Sequence, residues 1–268
     1  MSVCYITAIY GNYEATCKPF VVQTIESDFI CFTNNTSIES NGWTIDTTPY
    51  HLLNKSSMDD DTYINSLCNN QHNFNIAKYY KQSFHNIPIL KKYSVIVWMD
   101  GTLEITHDKV SEYILNNIYE HKIIGWHHEY RHGKLNEEVF KSCDGPKYQK
   151  REWLNQKQPV QNVVKQFEEY IRDGYSDDYF KDHAKKNSQH FGVWITCFVA
   201  FLNNDCEVTK FLDLWYKQTL MHTTQDQVGF PYVCQKLNMV PLTLPNNDIS
   251  GPKPHTKTRF YIKRDHGK

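Results

Sequence analysis

The arrangements in this chain that could do chemistry pair an acid or a cation with a place where an element ends. In YSVIVWMDGTLEI, Tyr93 to Ile105, an apolar, β-branched run stops on Asp100 followed by Gly101. Asp-Gly between apolar residues signals a tight hairpin, with Thr102 to Ile105 as the returning strand. A carboxylate at the carboxyl tip of a buried strand signals instead a held cation or a set of donors, because an unpaired buried acid is costly. The two readings are compatible, since a turn can present a ligand. One carboxylate is a poor divalent site: Mg²⁺ and Mn²⁺ take several hard oxygens, often completed by substrate phosphates and water. Asp100 therefore needs partners from elsewhere.

In TTQDQVGFPYV, Thr223 to Val233, Thr224 is placed to cap a helix whose first turn carries Asp226 and Gln227. That placement either aims the acid into a cleft or simply complements the helix dipole. Pro231 implies that the helix is kinked or starts late.

Three weaker features carry polar or aromatic groups. GWHHEYRHG, Gly125 to Gly133, gathers His127, His128, Arg131 and His132. Histidines four apart invite a zinc reading, but the stretch lacks an apolar helical face, so a loop offering polar contacts, or a solvated loop, fits better. HFGVWITCFVAFLNN, His190 to Asn204, reads as buried core, with Trp194 and Thr196 as candidates to face a ligand. Lys78 and Lys81, on a helix around Tyr80, could reach a phosphate or sit on the surface.

The totals bound the answer. With 268 residues, 40% of them hydrophobic, the chain can bury a real core, and one domain is expected. A formal net charge of -1 excludes the overall basic field that attracts nucleic acid or an anionic membrane, so any anionic ligand must be held locally. No segment looks like a signal peptide, and no apolar run approaches the roughly 20 residues that span a bilayer. The expectation is a soluble, cytoplasmic protein without a transmembrane segment. The eight scattered cysteines include no C-x-x-C pair and are expected to be reduced, mostly core thiols.

The elements that must position these groups follow from periodicity. Val3 to Gly11, Asp28 to Asn35 and Ser94 to Asp100 read as buried strands, rich in Ile, Val, Phe and Tyr and stopped by Gly, Asn or Asp. Helical spacing recurs at Ile76, Ala77, Tyr80 and Phe84, and at Val110, Ile114 and Ile118 after a cap at Thr106 or Asp108. It recurs again from Val163 to Ile171, stopped by Gly174, and over Val208 to Gln218. Strands alternating with helices predict an α/β fold with a mostly parallel central sheet flanked by helices, ligands sitting at the carboxyl ends of the strands. The polar region Glu129 to Asn187 is expected to hold an inserted helix and loops over the site, and the tail after Leu244 a loop on the body with a frayed end.

Five blocks in order, YITAIYGNYE, DFICFTNN, AKYYKQSFH, VIVWMDGTLEI and TTQDQVGFPYV, resemble the glycosyltransferase-like domain catalogued as DUF616, over nearly the whole chain. That family looks like the GT-A class of nucleotide-sugar transferases, whose Rossmann-like half binds the nucleotide and whose D-x-D acids bind a divalent metal. The resemblance implies one GT-A-like domain over 1–268: a nucleotide-binding half at 1–105, an acceptor-side half at 106–245, and a tail or lid at 246–268. The match is partial, because Asp100, Gly101 and Thr102 lack the second acid.

The resemblance implies a UDP- or GDP-sugar donor, a glycan or other hydroxyl acceptor, and Mn²⁺ or Mg²⁺ held by Asp100 with His255. Asp226 and Gln227 would lie near the acceptor and the reacting carbon as catalytic residues. Ala8, Tyr10, Gly11, Tyr13 and Asn34 would meet the nucleotide, Tyr10 or Tyr13 by stacking and Gly11 by close approach. Trp98, Lys78, Lys81, His128, Arg131 and Lys257 complete the expected nucleotide-sugar contacts. The alternatives are a GT-A-like domain that binds a sugar or partner without catalysis, and a hydrolase on the same scaffold.

Overall fold

The structure is a computed structural model and describes residues 2–11, 13–53, 73–143, 162–181, 192–222, 225–244 and 258–266. Its centre is a sheet of β1 (Val3–Ile9), β2 (Ser27–Thr33), β3 (Thr44–Asp46), β4 (Val95–Met99), β6 (Ile123–His127), β7 (Trp194–Leu202) and β8 (Leu242–Leu244). The order across it is β3-β2-β1-β4-β7-β6-β8. β1 pairs in parallel with β2 and β4, β2 with β3, and β6 with β8; β7 runs antiparallel to both of its neighbours. Every residue of β1 and of β4 is buried, as a parallel strand covered on both faces requires.

Alternation along the strands sorts their side chains between two cores. Cys4, Ile6, Ala8, Ile96 and Trp98 face a layer that includes α2 (Asn73–Gln82), α6 (Cys206–Met221) and α7 (Asp226–Lys236). Val3, Tyr5, Ile9, Val97 and Met99 face α3 (Val110–His121) together with Trp43, Phe260 and Tyr261. The short helix α1 (Tyr50–Leu53) precedes the first layer, and α4 (Leu135–Cys143) packs on α5 (Val163–Arg172). This is the expected α/β architecture, a mostly parallel central sheet between helices.

Several local expectations are corrected. The Asp-Gly turn exists, with Leu103 N donating to Asp100 O at 2.9 Å, but it makes no hairpin. β4 has β1 on one edge and β7 on the other, so a returning strand has no edge to join. Residues Leu103–Ile105 (β5) pair instead with β9 (Tyr261–Lys263), antiparallel. The tail does lie on the body over 258–266, but as a strand rather than a plain loop: Phe260 and Tyr261 are buried, and Arg264 grips Glu104 at 2.6 and 3.1 Å. α3 is capped neither by Thr106 nor by Asp108; Lys109 holds the N-cap position, and its N–H donates to His107 Nδ1 at 3.0 Å. Pro231 does not delay α7, which starts at Asp226 and carries the proline inside it.

Cys4, Cys17, Cys31 and Cys234 are buried thiols outside any disulfide, whereas Cys206 is exposed. Among the described residues no helix is long and apolar enough to cross a membrane.

Candidate active site

The carboxyl edge of the sheet brings the two candidate acids into one charged cluster. β4 turns Trp98 toward α2 and ends at Asp100, whose N–H donates to Cys197 O on β7 at 2.8 Å. The indole Nε1 of Trp98 donates to Asp100 Oδ1 at 2.9 Å, which fixes the bearing of the half-buried carboxylate. Gly101 is required by closeness: a Cβ there would stand 2.9 Å from Cγ1 of Ile9 on β1.

Asp226 opens α7, where an acid complements the helix dipole. Its backbone carbonyl accepts from Trp215 Nε1 on α6 at 2.8 Å. Thr224 lies outside the described residues, and Gln225 occupies the N-cap position without a side-chain cap bond. The Gln227 side chain reaches β7, its Oε1 accepting from Thr196 N at 3.3 Å.

Both lysines of α2 are turned onto Asp226. Lys78 Nζ lies 2.9 Å from Oδ1, and Lys81 Nζ pairs with Oδ2. The reading of these as surface lysines is overturned for Lys81, which is 1% exposed. Its ammonium lies 5.6 Å from the Trp98 ring and 5.4 Å from that of Trp215, on the electron-rich faces that favour a cation. Burial acts to raise the Asp226 carboxyl, but the charges and hydrogen bonds of Lys78 and Lys81 outweigh it and hold the group below the ordinary carboxylate range. Burial lowers the Lys81 ammonium from its ordinary value, against the pull of Asp226 and Asp100.

The loop after β1 lies at the same edge. Gly11 has a φ of 68°, and its N–H donates to Asn34 Oδ1 at 2.9 Å, so these two expected nucleotide residues meet. Ala8 is buried in register with Phe32. Tyr10 cannot stack on a base: its ring is buried against Tyr80, and its hydroxyl donates to that of Tyr80 at 2.7 Å. Tyr13 packs edge-on against His266, with ring centroids 4.7 Å apart, and is tied into the docked tail.

β6 runs parallel to β4, since both are antiparallel to β7, and so it delivers His127 and His128 to this edge as well. The stretch is not a solvated loop: both histidines are buried, and Arg131 Nε meets Glu138 Oε2 at 2.5 Å. Ser142 Oγ donates to the other oxygen of Glu138 at 3.3 Å. Beside this pair a pocket of about 460 Å³ opens between Tyr130, Arg131, Asn136, Glu137, Phe140 and Lys141. Trp194 is core rather than a sugar platform, because its indole donates to Thr243 and its ring packs on Phe180 and Phe230.

His255 and Lys257 lie outside the described residues. Among the described residues, no three of His, Cys, Asp and Glu gather to hold a metal ion. A divalent ion that completes its shell from phosphate oxygens and water would take one hard carboxylate oxygen from Asp100. Trp215 is the site residue that sequence reasoning missed. In VTKFLDLWYKQ it has the spacing of a core residue, and nothing there marks its indole as a hydrogen-bond donor to Asp226.

No protein-family model matches the chain, and no curated protein matches it. Solved structures similar to it are glycosyltransferases at very low identity. The mannosyltransferase Ktr4p from S. cerevisiae is 9% identical, with 88% of this chain and 69% of that chain covered and a TM-score of 0.39. The WbbM bifunctional glycosyltransferase, in its apo form, is 9% identical with a TM-score of 0.49; 92% of this chain covers 39% of it. Core-mannan synthase A from Aspergillus fumigatus, in an Mn/GDP form, is 10% identical over 87% of this chain and 69% of that chain, with a TM-score of 0.40.

Proposed function

We propose that the chain is a DUF616-type, GT-A-like glycosyltransferase that moves a sugar from a UDP- or GDP-sugar to a glycan or other hydroxyl acceptor. The observation that carries this reading is the convergence at one sheet edge of Asp100, the Lys78–Asp226–Lys81 cluster and the Gly11–Asn34 contact. Such an edge is where α/β sheets bind nucleotides. The pocket framed by Tyr130 and Phe140 supplies the aromatic and polar surface that suits a sugar ring on the acceptor side.

Sugar transfer from a nucleotide diphosphate builds positive charge at the anomeric carbon and negative charge on the departing diphosphate. Asp100, with His255 as the expected second ligand, would hold a divalent ion, which when bound would supply charge neutralisation to that leaving group. The chain's own residues do the rest. Lys78, whose side chain is 18% exposed, offers a cation at the sheet edge. Asp226, held below the ordinary carboxylate range, is a weak base. Its role in this reading is to orient the donor sugar and stabilise the developing positive charge. Gln227 ties the first turn of α7 to β7 and keeps Asp226 in place.

The test is thermal stabilisation by UDP or GDP with and without Mn²⁺, followed by a screen of nucleotide sugars for Mn²⁺-dependent hydrolysis and transfer. Stabilisation only with the metal, and turnover of one donor, are the expected results. A chain that binds neither nucleotide under any metal condition overturns the reading.

A further inference from the structure

Two indoles and one ammonium join the acids of β4 and α7. Lys81 lies between the Trp98 and Trp215 rings, at 5.6 and 5.4 Å, and pairs with Asp226. Each of these indoles spends its single N–H on one of the two acids: Trp98 on the Asp100 carboxylate at 2.9 Å, Trp215 on the backbone carbonyl of Asp226 at 2.8 Å. We propose that Lys81 is a positioning residue that touches no substrate: its buried charge orients the two indoles, which hold Asp100 and Asp226 at a fixed separation at the sheet edge. This rests on the transferase reading of those acids and assigns Lys78, rather than Lys81, to the diphosphate.

The division between the lysines follows from exposure. The Lys81 side chain is 1% exposed, with an aromatic face on two sides and a carboxylate on a third, so a phosphate arriving from solvent finds no open side. Lys78, one helical turn earlier on α2, meets the same carboxylate with 18% of its side chain exposed. A buried ammonium with a single carboxylate partner is an expensive object, and the two aromatic faces lower that cost in a way that only a cation repays. The charged and titratable groups facing it are Lys78 on its own helix, Asp226 on α7, Asp100 beyond β4 and Cys197 on β7.

The experiment compares wild type, Lys81→Met, Lys81→Arg and Lys78→Met, all metal-free for the carboxyl titration and with Mn²⁺ for nucleotide binding. Asp carboxyl resonances are followed against pH, and UDP and UMP are titrated separately. Lys81→Met is expected to raise the Asp226 midpoint by about one pH unit or more, and Lys81→Arg to restore it. Lys81→Met is expected to keep the UDP-to-UMP affinity ratio near wild type, whereas Lys78→Met lowers it about tenfold, the worth of one charge-assisted contact. A ratio that falls as far in Lys81→Met as in Lys78→Met makes Lys81 a phosphate ligand and overturns the proposal. So does an unmoved Asp226 midpoint in folded Lys81→Met. Should Lys81→Met fail to fold, Lys81→Arg decides: a wild-type midpoint and ratio support the proposal, and a lost ratio with an intact midpoint overturns it. Failure of the wild type to bind any nucleotide overturns the transferase reading alone, because the carboxyl titration needs no ligand.

Discussion

Lys81, in the last turn of α2, and Asp226, in the first turn of α7, form an ion pair in the interior of the protein. Lys81 is 1% and Asp226 6% exposed, and the second lysine on that acid, Lys78, comes from the same helix. The pair therefore fixes how two distant segments meet at the sheet edge.

Asp226→Asn leaves the Lys81 ammonium buried without its partner, and breaking such a pair is expected to cost about 3 kcal/mol of stability. Replacing both residues with apolar ones, Lys81→Met with Asp226→Leu, is expected to cost less than the single change. Urea denaturation of the three chains measures this; a single variant as stable as wild type would show that the pair contributes nothing.

Because the folded Asp226 carboxyl lies below its ordinary value, its contribution to stability is fully present above that value, about pH 4. It is lost as pH falls through the lowered folded value. Below pH 4 the stability of wild type should drop more steeply than that of Asp226→Asn. Urea midpoints across an acid pH series give the comparison.

Asp100→Ala is expected to retain the fold at a cost of about 1–3 kcal/mol, since the turn bond uses the backbone and the loss is the acceptor of the Trp98 indole. The same change should abolish any Mn²⁺-dependent binding of UDP or GDP. Calorimetric titration with and without Mn²⁺ reads it, and unchanged binding removes Asp100 from the site.

Gly101→Ala sets a methyl group 2.9 Å from Ile9 Cγ1, so the Ile9 side chain, β1 or the turn must shift. Overpacking of this kind is expected to cost about 1–3 kcal/mol and to displace Asp100, with nucleotide affinity falling alongside stability. Thermal denaturation and titration on the same protein show whether the two losses travel together.

The docked tail makes a contrasting pair of outcomes. Phe260, 4% exposed and in contact with Trp126 and Tyr113, should cost about 3–5 kcal/mol when changed to alanine. Arg264→Ala breaks an exposed ion pair with Glu104 and should cost under about 1 kcal/mol. Equal losses would mean that this strand is held by charge rather than by burial.

The sequence by itself determined the elements and the class. Continuous apolar runs marked β1, β2 and β4, and 3.6-residue spacing marked α2, α3, α5 and α6, because each pattern reports the burial its element requires. It also put Asp100 at a strand end and Asp226 in a helix's first turn, both set by local chemistry. Only the tertiary structure decided which residues meet. The Asp-Gly turn reads as a hairpin until β1 and β7 are seen to occupy both edges of β4. The polar tail reads as a loop on the body until β9 is seen to pair with β5. Lys81 reads as a phosphate contact or a surface lysine because its partners, Asp226, Trp98 and Trp215, come from three other elements, and no local pattern encodes a charge whose burial depends on all of them arriving together.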